Sequence, residues 1–427
     1  MTRAKATRYA PAIVLTVSLF FLWGMANNLN DILIAQFKKA FTLSDFETSF
    51  VQQAFYLGYF CLAIPAAMVV RAKGYKAAIV TGLLLYAAGA LLFYPAAHYG
   101  EYRYFLAALF VIASGLAFLE TSANPLMTEL GDPAGAARRL NWAQAANPVG
   151  TLAGVLIGKY FILSEIAHDD RAIAAMAPAA REAFYRAETQ AVQAPYLVIG
   201  LVVLAVALAA AMIRFPDTRA QPGEDAQPPF SHVFRHPRLL LAAVAQFFYV
   251  GAQVGLWSYT IRYAQYNVAG MIERTAADYL FVSLLLFGIG RFVGTALMGR
   301  IAPARLLAIF AGASLALAVG SATIGGQMGL YMLVAASFFL SIQFPTIFAL
   351  GVEGLGPLRK AGASLIVMAI IGGAAITATM GQVSDVAGIN MAMLIPALAF
   401  AIVLAFAVSA GRGTTRAIGD DNPRPIH

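Results

Sequence analysis

Leu22–Phe37 reads LWGMANNLNDILIAQF and continues the apolar run Ala10–Phe21 without a break. The two together are long enough to cross a bilayer, which takes about 20 residues of helix. Inside that length lie Asn27, Asn28, Asn30 and Asp31. An ionisable side chain at membrane depth costs at least about 2.5 kcal/mol on insertion scales, and one that is kept there faces a polar path through the protein. Trp23, Asn27 and Asp31 follow at intervals of four, so they stack on one helix face. That face offers an aromatic plate, an amide and a carboxylate, and the rest of the chain is read around it.

Of the 427 residues, 60% are apolar and 12% are charged. Soluble proteins carry about 25% charged residues, so this chain belongs in a membrane. Apolar segments fall at 10–36, 48–70, 77–97, 102–128, 139–163, 194–214, 239–264, 276–299, 304–323, 328–352, 361–384 and 389–410. They predict an all-α integral membrane protein of twelve transmembrane helices, with both termini on one side. Nineteen Lys and Arg residues flank the spans on that side and nine on the other. The positive-inside rule then makes both termini cytoplasmic. The net charge of +8 is accounted for by these loops and implies no nucleic-acid partner. Arg3, Lys5 and Arg8 precede the first apolar stretch, but no small-residue cleavage site follows, so it reads as a span rather than a signal peptide. Cys61 is the single cysteine, which excludes an intrachain disulfide.

Phe215–Pro237 is polar and rich in Pro, with no apolar period. It divides the chain into a six-helix bundle at 1–214, a cytoplasmic linker at 215–238, and a second six-helix bundle at 239–427 with a short tail. The external connection 164–194 is expected to hold a surface helix near Ala179–Val192, after Pro178. Its His168, Asp169 and Asp170 read as a solvated turn, since no second ligand cluster stands at metal-site spacing. The halves repeat weakly: Pro125–Gly131 (PLMTELG) answers Pro345–Gly351 (PTIFALG), and basic pairs close the second and eighth spans. A repeated bundle with a long middle connection is the pattern of a transporter built around a central cavity.

Polar groups inside the apolar spans concentrate in the first half. Glu120 and Asn124 are four apart in the fourth span. Asn141, Gln144 and Asn147 come at i, i+3 and i+6 in the fifth, which places them on nearly one face of a continuous helix. The second half offers Gln246, Gln253, Trp257, Tyr259, Gln343 and Phe344. Amides and carboxylates supply donors and acceptors for hydroxyl groups, and aromatic faces cover the apolar side of a pyranose ring. With no basic residue among these cavity segments, a neutral sugar is expected rather than a phosphorylated or carboxylated one. Arg291 is expected to snorkel from the eighth span to the cytoplasmic edge, and Asp385 to stay solvated at a span end. An apolar drug:proton exporter is the alternative, disfavoured by so many amides. No nucleophile–base pair or metal-ligand set suggests an enzyme.

The motifs FLWGMANNLNDIL, LETSANP, NWAQAANPVG, YVGAQVGLWSYTIRYA, SIQFPTIF and SLIVMAIIGG resemble the bacterial fucose/galactose/glucose:proton symporter family of the major facilitator superfamily, L-fucose carriers above all. The likeness runs nearly end to end, apart from the linker and tail. It implies a monomeric carrier in the bacterial inner membrane, with the lipid bilayer, a hexose and a proton as its partners and no cofactor beyond that proton. It implies proton coupling at Asp31 and Glu120. It also implies sugar contacts from Trp23, Asn27, Asn28, Glu120, Asn124, Gln144, Asn147, Gln253, Trp257, Tyr259 and Phe344. Phe344 stands where the fucose carriers have Tyr, which leaves galactose, glucose and N-acetylglucosamine open as substrates. Pro148 stands where they have Ser and is expected to alter the fifth helix.

Overall fold

The computed structural model describes the backbone of residues 3–43, 45–130, 132–162, 176–215 and 229–419. Among the described residues it is helical, with no strand. The first seven helices are α1 (Arg3–Ala40), α2 (Asp45–Tyr99), α3 (Tyr102–Glu129), α4 (Ala136–Gln144), α5 (Ala146–Ile157), α6 (Pro178–Gln190) and α7 (Gln193–Met212). There follow α8 (Pro237–Asn267), α9 (Glu273–Leu297), α10 (Pro303–Ile324), α11 (Gly326–Leu340), α12 (Gln343–Val352) and α13 (Arg359–Met368). The last three are α14 (Gly372–Ala387), the short α15 (Ile389–Ala392) and α16 (Leu394–Gly419).

Ten helical stretches among the described residues are long and apolar enough to cross a membrane. Two features reconcile that number with twelve spans. One stretch, Phe50–Tyr99, is two spans joined at Gly74, whose φ of 83° is open to glycine and costly to other residues. The other is the fifth span, which is broken at Ala145 into α4 and α5, each too short to cross alone.

Pro148 explains the break. It has no N–H to give the carbonyl four residues back, Gln144, so the helical ladder fails there. The sequence expectation for Pro148 is met, but that of one continuous helix from 139 to 163 is not. Pro345 acts likewise on Ser341: α11 stops at Leu340 and α12 begins at Gln343.

Contacts divide the chain into two compact units. The first is Met1–Leu126 with Ala146–Asp225; the second is Met127–Ala145 with Ala226–His427. In the first unit α1 and α5 touch backbone to backbone. A Cβ added at Gly150 would lie 1.9 Å from the Phe21 carbonyl oxygen, and one at Gly24 would lie 2.1 Å from that of Asn147. Small residues of this kind let membrane helices approach closely, where packing rather than the hydrophobic effect holds them. α2 packs along α7, and α6 docks on α1, where the buried Gln36 amide donates to the Glu188 carboxylate at 2.8 Å. A helix therefore forms at Pro178–Gln190, where the sequence places the surface helix. The loop 163–175, with His168, Asp169 and Asp170, and the linker residues 216–228 lie outside the described residues.

The second unit uses the same device. A Cβ at Gly372 would lie 2.0 Å from the Phe247 carbonyl oxygen, locking α14 to α8 as α5 is locked to α1. α10 packs against α11 and α16, and α8 against α14 and α16. α4 joins this unit by packing on α12 and α9.

Candidate functional site

In the first unit the polar groups converge from four helices. Trp23 on α1 is half-buried and its indole N–H donates to the Tyr59 hydroxyl on α2. Tyr59 interacts electrostatically with Glu120 on α3. Glu120 is 3% exposed, and neither carboxylate oxygen has a hydrogen-bond partner among the described residues. The Asn124 amide, one turn on and fully buried, interacts with this carboxyl group. From α5, Asn147 reaches the Phe20 carbonyl of α1 at a long 3.4 Å. The Asn28 side chain lies against Gly154 of α5, with its carbonyl oxygen buried and without a partner among the described residues. Asn27 is half-buried on α1. Asn30, which the spacing turns away from Asp31, is buried and donates to Gln52 on α2 at 3.1 Å. Asp31 lies within α1, and its side chain is outside the described residues.

The second unit presents a different set. Along α8, Gln253 and Trp257 are half-buried, and the Trp257 indole donates to Ser337 of α11 at 3.2 Å. Trp257 meets Phe287 of α9 edge to face, with ring centroids 5.0 Å apart. Tyr259 is buried, its hydroxyl 3.4 Å from the Thr377 carbonyl of α14, with the Arg262 guanidinium over its ring. Phe344 on α12 is buried and stands edge to face with Tyr249 of α8 at 6.4 Å.

Arg291 corrects the sequence reading. It does not snorkel: the residue is 2% exposed, and its guanidinium lies over Phe287 at 5.1 Å. It donates to the Gln144 side-chain oxygen at 3.2 Å and reaches the Gln144 carbonyl, the one orphaned by Pro148, at 3.5 Å. A basic residue does, then, stand among the cavity segments. Its position gave a signal. Arg291 is eight residues from the predicted span end at 299, about 12 Å of helix, which is farther than its side chain reaches.

The expected single face of Asn141, Gln144 and Asn147 is also divided. Asn141 and Gln144 belong to the second unit, where Asn141 donates to Thr346 of α12 at 3.1 Å; Asn147 belongs to the first. Tyr59 was not distinguishable in the sequence, since a tyrosine in an apolar run reads as an interfacial belt residue. No group of His, Cys, Asp and Glu suited to a metal ion occurs among the described residues.

A membrane fold in two units, helical throughout its described residues and with ionisable groups buried inside apolar helices, fits a secondary transporter. The chain belongs to the Major Facilitator Superfamily, whose sequence profile matches residues 15–380. It is 46% identical to the L-fucose-proton symporter of Escherichia coli over 410 residues, 94% of each chain. It is 35% identical to a glucose/galactose transporter of Brucella abortus over 396 residues, 92% of this chain and 93% of that one. Among solved structures, FucP in the outward conformation superposes with a TM-score of 0.86 at 46% identity, covering 93% of this chain and 98% of that one. The proton:xylose symporter XylE superposes at 0.67 with 12% identity over 95% and 96% of the two chains, which speaks for the fold alone. These relatives are transporters rather than enzymes.

Proposed function

We propose that this chain is a proton-coupled symporter that takes up a neutral monosaccharide, L-fucose first of all, by alternating access. The observation that carries the reading is Glu120: a carboxylic acid nine-tenths buried, beside Tyr59 and Asn124, with neither oxygen hydrogen-bonded among the described residues. A bare carboxylate is expensive in such surroundings, so it is stable there only as a group that takes up a proton or meets a ligand's hydroxyl. The similarity to the L-fucose-proton symporter of Escherichia coli supports both the proton and the sugar. Asp31 is the companion proton site on α1. Trp23, Asn27, Asn28, Asn124 and Asn147 form a polar wall. Gln144, Gln253, Trp257, Tyr259 and Phe344 contribute amides and aromatic faces from the second unit.

The carrier spans the bacterial inner membrane as a monomer in lipid, two six-helix bundles joined by a cytoplasmic linker, with both termini in the cytoplasm. The excess of basic residues in the terminal-side loops supports that orientation. Loaded with sugar and proton together, the carrier moves inward, and the membrane potential adds about 2.3 kcal/mol per charge for each 100 mV.

Proteoliposomes under an imposed pH gradient test the reading. Wild type accumulates labelled L-fucose, whereas Asp31→Asn exchanges it without accumulating it. Uphill transport by Asp31→Asn would remove the proton assignment. Phe344, which lacks the family's hydroxyl, favours a second reading with another hexose. Competition of galactose, glucose and N-acetylglucosamine against L-fucose counterflow decides between them.

A further inference from the structure

Gln246 is fully buried on α8, and both ends of its amide, Oε1 and Nε2, lack a hydrogen-bond partner among the described residues. Leaving each such group unpaired costs about 1–3 kcal/mol, so a membrane protein that keeps one has a use for it in another state. Its place on the helix shows what it faces. Four residues earlier, Ala242 lies where a Cβ on Gly351 would be 2.5 Å away; three residues later, Tyr249 meets Phe344. Gly351 and Phe344 are both on α12, so Gln246 is turned toward the same helix between them. Tyr249 donates to the Leu340 carbonyl at the break before α12, and it interacts electrostatically with Arg291. Arg291 Nε and Asn141 Oδ1 are likewise buried without a partner among the described residues. Four helices of one unit thus gather a polar cluster of Gln246, Tyr249, Arg291, Asn141, Gln144 and Thr346, with unmet groups at Gln246, Arg291 and Asn141 among the described residues. Its cover is α4, fastened by Asn141 to Thr346 and by Gln144 to Arg291.

We propose that Gln246, Tyr249 and Arg291 form an inner sugar subsite, used as the hexose leaves on the terminal side, and that α4 closes it in the state seen here. This rests on the sugar-symport reading and on its orientation. Gln246 and Gln253 share a face of α8 with Trp257, 11 residues apart from first to last, or about 16 Å of helix. A pyranose handed down that face meets an amide at each stage. Gln246 supplies a donor amino group and an acceptor carbonyl, and the guanidinium supplies donors only, which suits vicinal hydroxyls. When α4 withdraws, the sugar hydroxyls take the bonds that Asn141 and Gln144 now hold.

The test compares the two faces of the membrane. L-fucose entry into right-side-out vesicles gives the half-saturation at the outer face, and entry into inside-out vesicles gives it at the inner face. Gln246→Met, close in volume and without the amide, is expected to raise the inner value about tenfold and leave the outer value within twofold. Equal shifts at both faces, or none at either, overturn the subsite. Should Gln246→Met not reach the membrane, Tyr249→Phe deletes one hydroxyl and is read the same way. Wild-type vesicles that move galactose or glucose but not L-fucose would change the substrate reading alone, and the comparison is then made with that sugar.

Discussion

Each unit buries a charge-bearing side chain deep within a membrane helix, Glu120 in the first and Arg291 in the second, and treats it differently. Glu120 in the first has neither oxygen hydrogen-bonded among the described residues, and it lies next to an amide and a phenol. Arg291 in the second is held by the side chain of Gln144 and rests on Phe287. The difference follows from what the two groups can do. A carboxylate can shed its charge by binding a proton, so it tolerates a site that is poor in partners. A guanidinium stays protonated in proteins, so burial obliges the fold to supply acceptors and a ring face. On the proposed reading, Glu120 serves coupling, whereas Arg291 holds α4 in place until sugar displaces it.

The largest effect that would break this contrast is at Glu120. Glu120→Gln is a fixed mimic of the protonated acid. Accumulation of L-fucose is expected to fall about a hundredfold, equivalent to about 2.7 kcal/mol, while counterflow persists. Wild-type uptake should weaken as external pH rises, because deprotonated carboxylates do not load. The variant's counterflow should be level across the same range. A variant that keeps the wild-type slope would place coupling elsewhere.

A smaller effect tests the partner in the second unit. Gln144→Leu strips Arg291 of its side-chain acceptor. Hydrogen bonds to charged groups are worth about 1.5–3 kcal/mol, so the purified variant should melt several degrees lower. An unchanged melting temperature would mean that the bond holds nothing. The least effect concerns specificity. Phe344→Tyr adds a hydroxyl beside Tyr249, and L-fucose half-saturation should fall by up to about tenfold, or 1.4 kcal/mol. If galactose gains more than L-fucose, that position selects for the former.

The sequence made the architecture legible for a simple reason: lipid forces long apolar runs, and twelve can be counted. The acid–amide set of the first half was legible too, because Glu120 and Asn124 have no structural excuse inside an apolar helix. The rest depended on three-dimensional placement. Pro148 announced a disturbance, but not that Asn141 and Gln144 would part from Asn147 at Ala145. Arg291 looked like a snorkelling residue until its distance from the span end was weighed against its reach. Tyr59 carries no mark of its own; its pairing with Trp23 and its place beside Glu120 distinguish it from a belt tyrosine. The tight crossings at Gly150 and Gly372 sit in NPVG and IIGG, where a small residue is visible but its opposite backbone is not.

The break at Ala145 also bears on how the protein is made. Gln144 emerges from the ribosome 147 residues before Arg291, and Asn141 emerges 205 residues before Thr346. At synthesis rates of 5–20 residues per second, that is a wait of about ten to forty seconds. During it these amides lie in or beside the bilayer without those two partners. α4 therefore needs a temporary host, in water or in the insertion machinery, until the later helices arrive to claim it.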